Sequence, residues 1–455
     1  MKTRFLGMVA VALMLAGSWF LPAPANAKQN SLAINPVIFV HGGSGSGAQF
    51  ESQAQRFTSN GYPHDLIAVQ EYDSTFTINT VADVFASLDQ LIATLLDQTG
   101  ADQVDILAHS LGTTLMFGYL DGSAQRAAKV GHYVNIDGRT SDHLPGGVPT
   151  LALWAGRGTP GRQIIGATNV TIPDVTHVQC ATSAESFVQM YKFFTGEAPA
   201  TMDIVPEPPG QVRLAGRAVL FPQNSGAEDR TLEIWRVDGD TGERIDKKPE
   251  AVFAIGADGA WGPFKAKGGR HYEFTLLLEG AFTHHFYYEP FFRSDYLIRL
   301  NTEDPGTGVG NLVQSSDDTA ALILIRYKEF WGDQGVENDT LLIDGVNVVN
   351  AATCPIRKLV NAIFTFDNNL DGVSDLTMPI ASLFALPFLT GVDLVVPGAD
   401  PPNATISNAL TPRGGGGTEE VVNVPNWASS NHRITVQYHD YVQAINSFVE
   451  YVQSK

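Results

Sequence analysis

The sequence predicts an α/β domain, a parallel sheet with helices on both faces, followed by two β-rich domains of sandwich-like build. Three observations carry this. Between Asn30 and Thr201, short apolar runs alternate with helical patterns, as in a parallel sheet covered on both faces. At Pro206-Glu207-Pro208-Pro209-Gly210 the prolines break helix and sheet alike. Beyond it, strand-like runs are punctuated by turn pairs, Asp238-Gly239, Asp258-Gly259 and Gly268-Gly269, the cadence of a β-sandwich. The chain divides accordingly into residues 1–27, 28–205, 206–288 and 289–455.

The first of these, Met1–Ala27, reads as a secretory signal peptide. Lys2 and Arg4 precede an apolar core that runs from Phe5 to Leu21, and Ala25-Asn26-Ala27 is a small-x-small cleavage site. Pro22 and Pro24 argue against an uncleaved anchor. A secreted or periplasmic protein with no transmembrane anchor after cleavage is the expectation. Val37-Ile38-Phe39-Val40 is a buried-strand run, and Val81 to Leu96 repeats apolar residues at helical spacing. Val104 to Ala108 is a strand, Leu111 to Leu120 a helix, and Tyr133 to Ile136, Leu151 to Trp154 and Val170 to Ile172 are strands. Phe187 to Phe194 is a closing helix. In the β-rich part the strands are Thr231 to Val237, Tyr272 to Leu278, Leu322 to Tyr327, Leu341 to Val349 and Arg433 to Tyr438.

Composition narrows the functions. The 48 acidic against 29 basic residues give a net charge of −19, and 44% of residues are hydrophobic. This is globular composition, without the basic surface that nucleic acid requires. Loss of Lys2 and Arg4 on cleavage takes the charge to −21, so contact with lipid would be apolar rather than electrostatic. The two cysteines, Cys180 and Cys354, allow one disulfide between distant segments or two buried thiols, and no disulfide scaffold. Oligomeric state is not written in the sequence.

Ala108-His109-Ser110-Leu111-Gly112 follows a strand and opens a helix. It is the G-x-S-x-G elbow with Ala for the first Gly, a turn so sharp that the residues two before and two after the serine must be small. His41-Gly42-Gly43 directly after the first strand, running into Ser44-Gly45-Ser46-Gly47, supplies a flexible loop. The amides of Gly43 and Leu111 form the expected oxyanion hole. A phosphate loop is excluded at residues 41–47, because the Walker lysine and the G-x-G-x-x-G spacing are absent from that loop. His41 reads as scaffold. The order serine, acid, histidine leaves His177 as the leading base, with His143 second and His132 structural. Asp137, directly after a strand, is the leading acid, with Asp142 and Asp174 as alternatives. Such a triad performs acyl transfer without any cofactor.

These residues, together with Gln49-Phe50-Glu51-Ser52-Gln53, Asn60-Gly61-Tyr62-Pro63, Ala167-Thr168-Asn169-Val170 and Thr176-His177-Val178-Gln179, resemble the α/β-hydrolase true lipases of bacteria and archaea. The likeness is closest to the Archaeoglobus lipase type, which joins a small hydrolase domain to a C-terminal β domain. It continues weakly into Leu324-Ile325-Arg326-Tyr327-Lys328. The resemblance implies Ser110, Asp137 and His177 as catalytic triad, Gly43 and Leu111 as oxyanion donors, and an ester or lipid substrate. A polyester depolymerase or amidase on the same triad, and a non-catalytic binding protein, are the rival readings. One feature departs from the family: Glu71 to Gln103 leaves no room for a large helical lid. The Met378 to Val396 segment and the aromatic run Phe286 to Phe292 are candidate covers, with packing inside the β core as the alternative for both. Finally, Asp367, Asn369, Asp371 and Asp375 occupy positions 1, 3, 5 and 9 of an EF-hand-like loop with Gly372 at 6, but Met378 stands where the closing Glu belongs. This is a candidate structural calcium site with no tie to the triad.

Overall fold

The computed structural model describes residues 34–442. The signal-peptide segment lies outside them. Residues 35–442 fall in a single compact unit, which begins with a six-stranded parallel sheet in the order β2-β1-β3-β4-β5-β6. Its strands are β1 (Val37–Val40), β2 (Ile67–Gln70), β3 (Val104–His109), β4 (Val130–Ile136), β5 (Thr150–Ala155) and β6 (Thr168–Ile172). Strands β1, β3 and β5 are buried throughout, which is why they read as unbroken apolar runs. The helices are α1 (Glu51–Ser59), α2 (Val81–Thr99), α3 (Leu111–Asp121), α4 (Ala124–Ala127), α5 (Gln179–Thr182) and α6 (Ala184–Thr195). A capping box of Thr80 and Asp83 starts α2, and Gly100 at φ 69° ends it, the left-handed C-terminal position that glycine occupies without strain.

Helix α1 and strand β2 left no sequence signal. Helix α1 buries polar side chains. Ser52 Oγ donates to Asp440 Oδ2 (2.9 Å), Gln53 Nε2 to the Ala181 carbonyl (2.8 Å), and Gln55 Nε2 to Asp295 Oδ2 (2.8 Å). Its buried face is therefore invisible to a search for apolar spacing. Strand β2 is a short edge strand.

The rest of the described chain is β-rich. An eight-stranded sheet runs β10-β9-β12-β13-β22-β15-β18-β19. It takes β9 (Thr231–Val237), β10 (Ala251–Ala254), β12 (His271–Leu277) and β13 (Thr283–Tyr288) from the first β segment. From the second it takes β15 (Leu322–Arg326), β18 (Ala362–Phe366), β19 (Leu389–Asp393) and β22 (His432–Tyr438). A smaller sheet holds β7 (Arg213–Leu220) between β11 (Ala260–Lys265) and β14 (Asp295–Thr302), with β8 (Ser225–Gly226) on β7. The last sheet runs β17 (Val346–Asn347), β16 (Thr340–Ile343), β20 (Thr405–Thr411) and β21 (Glu420–Pro425).

The division at 288/289 does not mark a break in this architecture. Along β13 the side chains alternate between two cores: Phe286 and Tyr288 pack with Leu214, Trp261 and Ile298, and Tyr287 packs with Leu341, Ile406 and Val424. The period of two in a strand thus lets one large sheet serve both sandwiches. The stretch Leu341 to Val349 is a hairpin rather than one strand. Asp344 (φ 47°) and Gly345 (φ 83°) form its turn, as left-handed geometry at both central residues allows.

Candidate functional site

Ser110, Asp137 and His177 stand at the carboxyl ends of the parallel strands β3, β4 and β6, where open α/β sheets gather their functional loops. Ser110 occupies the turn between β3 and α3 with φ 52° and ψ −119°, a conformation hostile to any residue with a Cβ. The tightness is measurable in the neighbouring glycines. A Cβ on Gly112 would meet the His41 carbonyl oxygen at 2.5 Å, and one on Gly42 would meet the Ser110 Cβ at 2.9 Å.

The three side chains form a continuous hydrogen-bonded line. His177 Nε2 lies 2.9 Å from Ser110 Oγ, and His177 Nδ1 lies 2.6 Å from Asp137 Oδ2. The other carboxylate oxygen of Asp137 accepts from the Ala155 amide (3.0 Å) and from Arg162 Nη1 (2.7 Å). Arg162 itself stacks over Trp154. Burial alone would raise the Asp137 carboxyl; the bonds from His177 and Ala155 and the charges of His177 and Arg162 outweigh it and hold the group below its ordinary value.

His109 holds His177 from behind. Its Nε2 is 3.0 Å from the His177 carbonyl oxygen and its Nδ1 is 2.8 Å from Gln49 Nε2. A carbonyl only accepts, so Nε2 carries the proton and Nδ1 accepts from the Gln49 amide. Burial, and next the charge of His177, push His109 down to about 3, so it stays neutral. Gly43 lines the same pocket as Ser110 and His177. Leu111 opens α3, where the first amides of a helix have no acceptor within it.

The alternatives lie elsewhere. His143 is exposed and bonds to Asp142 and Asp121. Asp174 is an exposed residue in a left-handed turn. His132 bonds Asp105. His41 is fully buried, stacked on Tyr72 and 3.6 Å from Glu71. Cys180 and Cys354 are buried free thiols. The carboxylates of the candidate calcium loop are turned onto its own backbone: Asp367 accepts from the Asp371 and Gly372 amides, Asp371 from Val373, and Asp375 from Thr377. Among the described residues no group of three or more His, Cys, Asp or Glu side chains is disposed to hold a metal ion.

Of the two candidate covers, the aromatic run packs inside the β cores. The other contributes Phe388, which lines the pocket over Ser110 together with Tyr327 and Asn361. Phe388 has φ 63°, and its carbonyl accepts from the Asn361 amide (2.8 Å). The same residues, with Ser44 and Gly45, also line an adjoining cavity of about 120 Å³ whose walls include Phe221, Ile323, Ile325, Phe364 and Leu389. Sequence reasoning gave no role at the site to Arg162 or Asn361, cited Gln49 and Tyr327 only within stretches of family resemblance, and named Phe388 only as part of the candidate cover Met378 to Val396.

Residues 34–135 match the family model for lipase (class 2), residues 210–305 that for the lipase C-terminal domain, and residues 308–442 a further C-terminal-domain model. Among solved structures, a gene product of Listeria innocua aligns at 13% identity over 37% of this chain and 97% of its own, with a TM-score of 0.30. Est1E from Butyrivibrio proteoclasticus aligns at 11% identity over 37% and 92%, with a TM-score of 0.26. Phospholipase PlaB from Legionella pneumophila aligns at 11% over 58% and 92%, with a TM-score of 0.24. Through its family matches the chain is similar to lipases in its N-terminal α/β domain and to their C-terminal domains in the β region that follows.

Proposed function

We propose that this protein hydrolyses carboxylic esters with apolar acyl chains through an acyl-enzyme on Ser110. The observation that carries the reading is the Asp137–His177–Ser110 hydrogen-bonded line opening on a pocket that adjoins an apolar cavity. His177 Nε2 takes the Ser110 proton as Oγ attacks the ester carbonyl, and Asp137 stabilises the imidazolium that forms. The amides of Gly43 and Leu111 receive the oxyanion. His177 returns the proton to the departing alcohol, and water, deprotonated by the same imidazole, releases the acid. The acyl chain runs past Phe388 between Ile323, Ile325 and Phe364. The site needs no metal or organic cofactor for these steps. Cleavage after Ala27 would deliver the protein across a membrane; no helix among the described residues is long and apolar enough to span one.

The test joins a fluorophosphonate probe with a panel of esters from two-carbon to long-chain acyl groups and an emulsified triglyceride. Labelling of the wild type but not of Ser110→Ala, with turnover rising on the longer acyl chains, is the expected result. An unlabelled wild type would leave a binding protein as the reading. Turnover of amides or polyesters in preference to simple esters would move the substrate class and keep the triad.

A further inference from the structure

The catalytic histidine is held by a carboxylate that lies some 150 residues further along the chain. Glu329, in the loop after β15, is fully buried. Its Oε1 accepts from the Val178 amide at 2.7 Å and its Oε2 from the Gln179 amide at 3.2 Å. Val178 caps α5 and Gln179 opens it, so neither amide has an acceptor within that helix. Among the described residues, no cation forms an ion pair with this carboxylate. A buried polar group is costly unless it is hydrogen-bonded, and this carboxyl group finds its two backbone partners where it governs a single peptide unit. The carbonyl of the His177–Val178 peptide accepts from His109 Nε2 at 3.0 Å, and its N–H donates to Glu329. Both polar ends of the peptide that follows the catalytic imidazole are therefore fixed, and with them the backbone rotation that aims the ring at Ser110 and Asp137.

Glu329 is in turn rigidly seated. Its own carbonyl accepts from Arg326 Nη2 (2.9 Å) and from Arg413 Nη1. Both guanidiniums pair with Asp339, which is fully buried, at 2.8 and 2.6 Å. The Trp331 amide donates to the same carboxylate at 2.9 Å, and Arg413 stacks over the Trp331 ring. Arg413 Nη2 also donates to Gln179 Oε1 at 2.9 Å. The β region thus presents a braced carboxylate to the histidine loop of the hydrolase domain.

We propose that Glu329 is a positioning residue for His177, through which the C-terminal β region sets the geometry of the catalytic base. The proposal rests on His177 acting as the base for Ser110. Glu329→Gln in the full chain is the test, since the amide fills the same space, keeps one acceptor and turns a donor toward the second backbone N–H. The expected result is a kcat lower by about tenfold to a hundredfold, the scale of a small misplacement in an active site. KM stays within about twofold, fluorophosphonate labelling slows in parallel, and near-ultraviolet circular dichroism is that of the wild type. Glu329→Asp, which keeps the carboxyl group and shortens the reach by one methylene, serves where the first variant folds poorly, with kcat taken per folded molecule; it too should lose kcat. Wild-type kcat per folded molecule in both variants, or a loss confined to KM, overturns the proposal. A wild type that the probe does not label sinks the Ser110 reading and this proposal together. A labelled wild type matched by an equally labelled Glu329→Gln sinks only the role of Glu329.

Discussion

The nucleophile turn stores strain, and replacing Ser110 by glycine should release it. Ser110 sits at φ 52°, ψ −119°, and its side chain accepts no capping hydrogen bond from α3. A non-glycine residue held there costs about 1–3 kcal/mol, and glycine in its place costs about 0.5–1 kcal/mol more in lost chain freedom on folding. Ser110→Ala keeps the Cβ and the strain, whereas Ser110→Gly keeps neither. Both variants lose the 2.9 Å bond to His177 Nε2, so that loss cancels between them. The difference leaves Ser110→Gly more stable than Ser110→Ala by about 1 kcal/mol, the balance of the two terms. Urea unfolding of the two variants side by side reads this as a higher midpoint at equal slope. Both should be inactive. An alanine variant as stable as the glycine variant, or more so, would show that the turn relaxes without the serine and that the strain argument is wrong.

The acyl cavity predicts that Ile325→Trp, which fills space beside Phe364, cuts turnover of long-chain esters at least tenfold while sparing two-carbon esters; equal losses on both would refute the assignment of the cavity. Arg162→Met removes a charged bond to Asp137 Oδ1, worth about 1.5–3 kcal/mol for such a donor. It should lower kcat by about tenfold with little change in KM, which steady-state kinetics will decide. Burial raises Asp295 to about 6, against the bonds from Leu297 and Gln55 that favour its charged form. A carboxyl raised above its unfolded value of about 3.9 contributes stability that is full below that value and is lost as pH rises through 6. Asp295→Asn should therefore gain stability relative to wild type between pH 4.5 and pH 8, and a difference independent of pH in denaturant unfolding would count against the burial argument. Because the Asp367 to Asp375 carboxylates bond to their own turn, chelation with EDTA should leave the Tm where it is; a fall reversed by calcium would show a bound ion.

The elements that sequence revealed are those whose local chemistry is self-sufficient. Strand β3 and the elbow after it are legible because a buried strand must be apolar and a tight turn must be flanked by small residues. Asp137 and His177 are legible because chain order and strand ends confine the choice. Helix α1 is not legible, since its buried face is made of Ser52, Gln53 and Gln55, whose partners Asp440, Ala181 and Asp295 are distant in sequence. The sheet shared across 288/289 was not legible, because alternation along β13 looks the same whether a strand faces one core or two.

By itself, then, the sequence determined the fold class and singled out Ser110, Asp137 and His177 as the proposed nucleophile, acid and base, because each choice rests on a short-range pattern of size, polarity or spacing. Only the tertiary structure decided what surrounds them. Arg162 on the acid, His109 and Glu329 on the two ends of one peptide, and Phe388 over the serine each arrive from separate segments. Such contacts are fixed by how sheets and loops pack against one another, and a linear pattern carries no record of that packing.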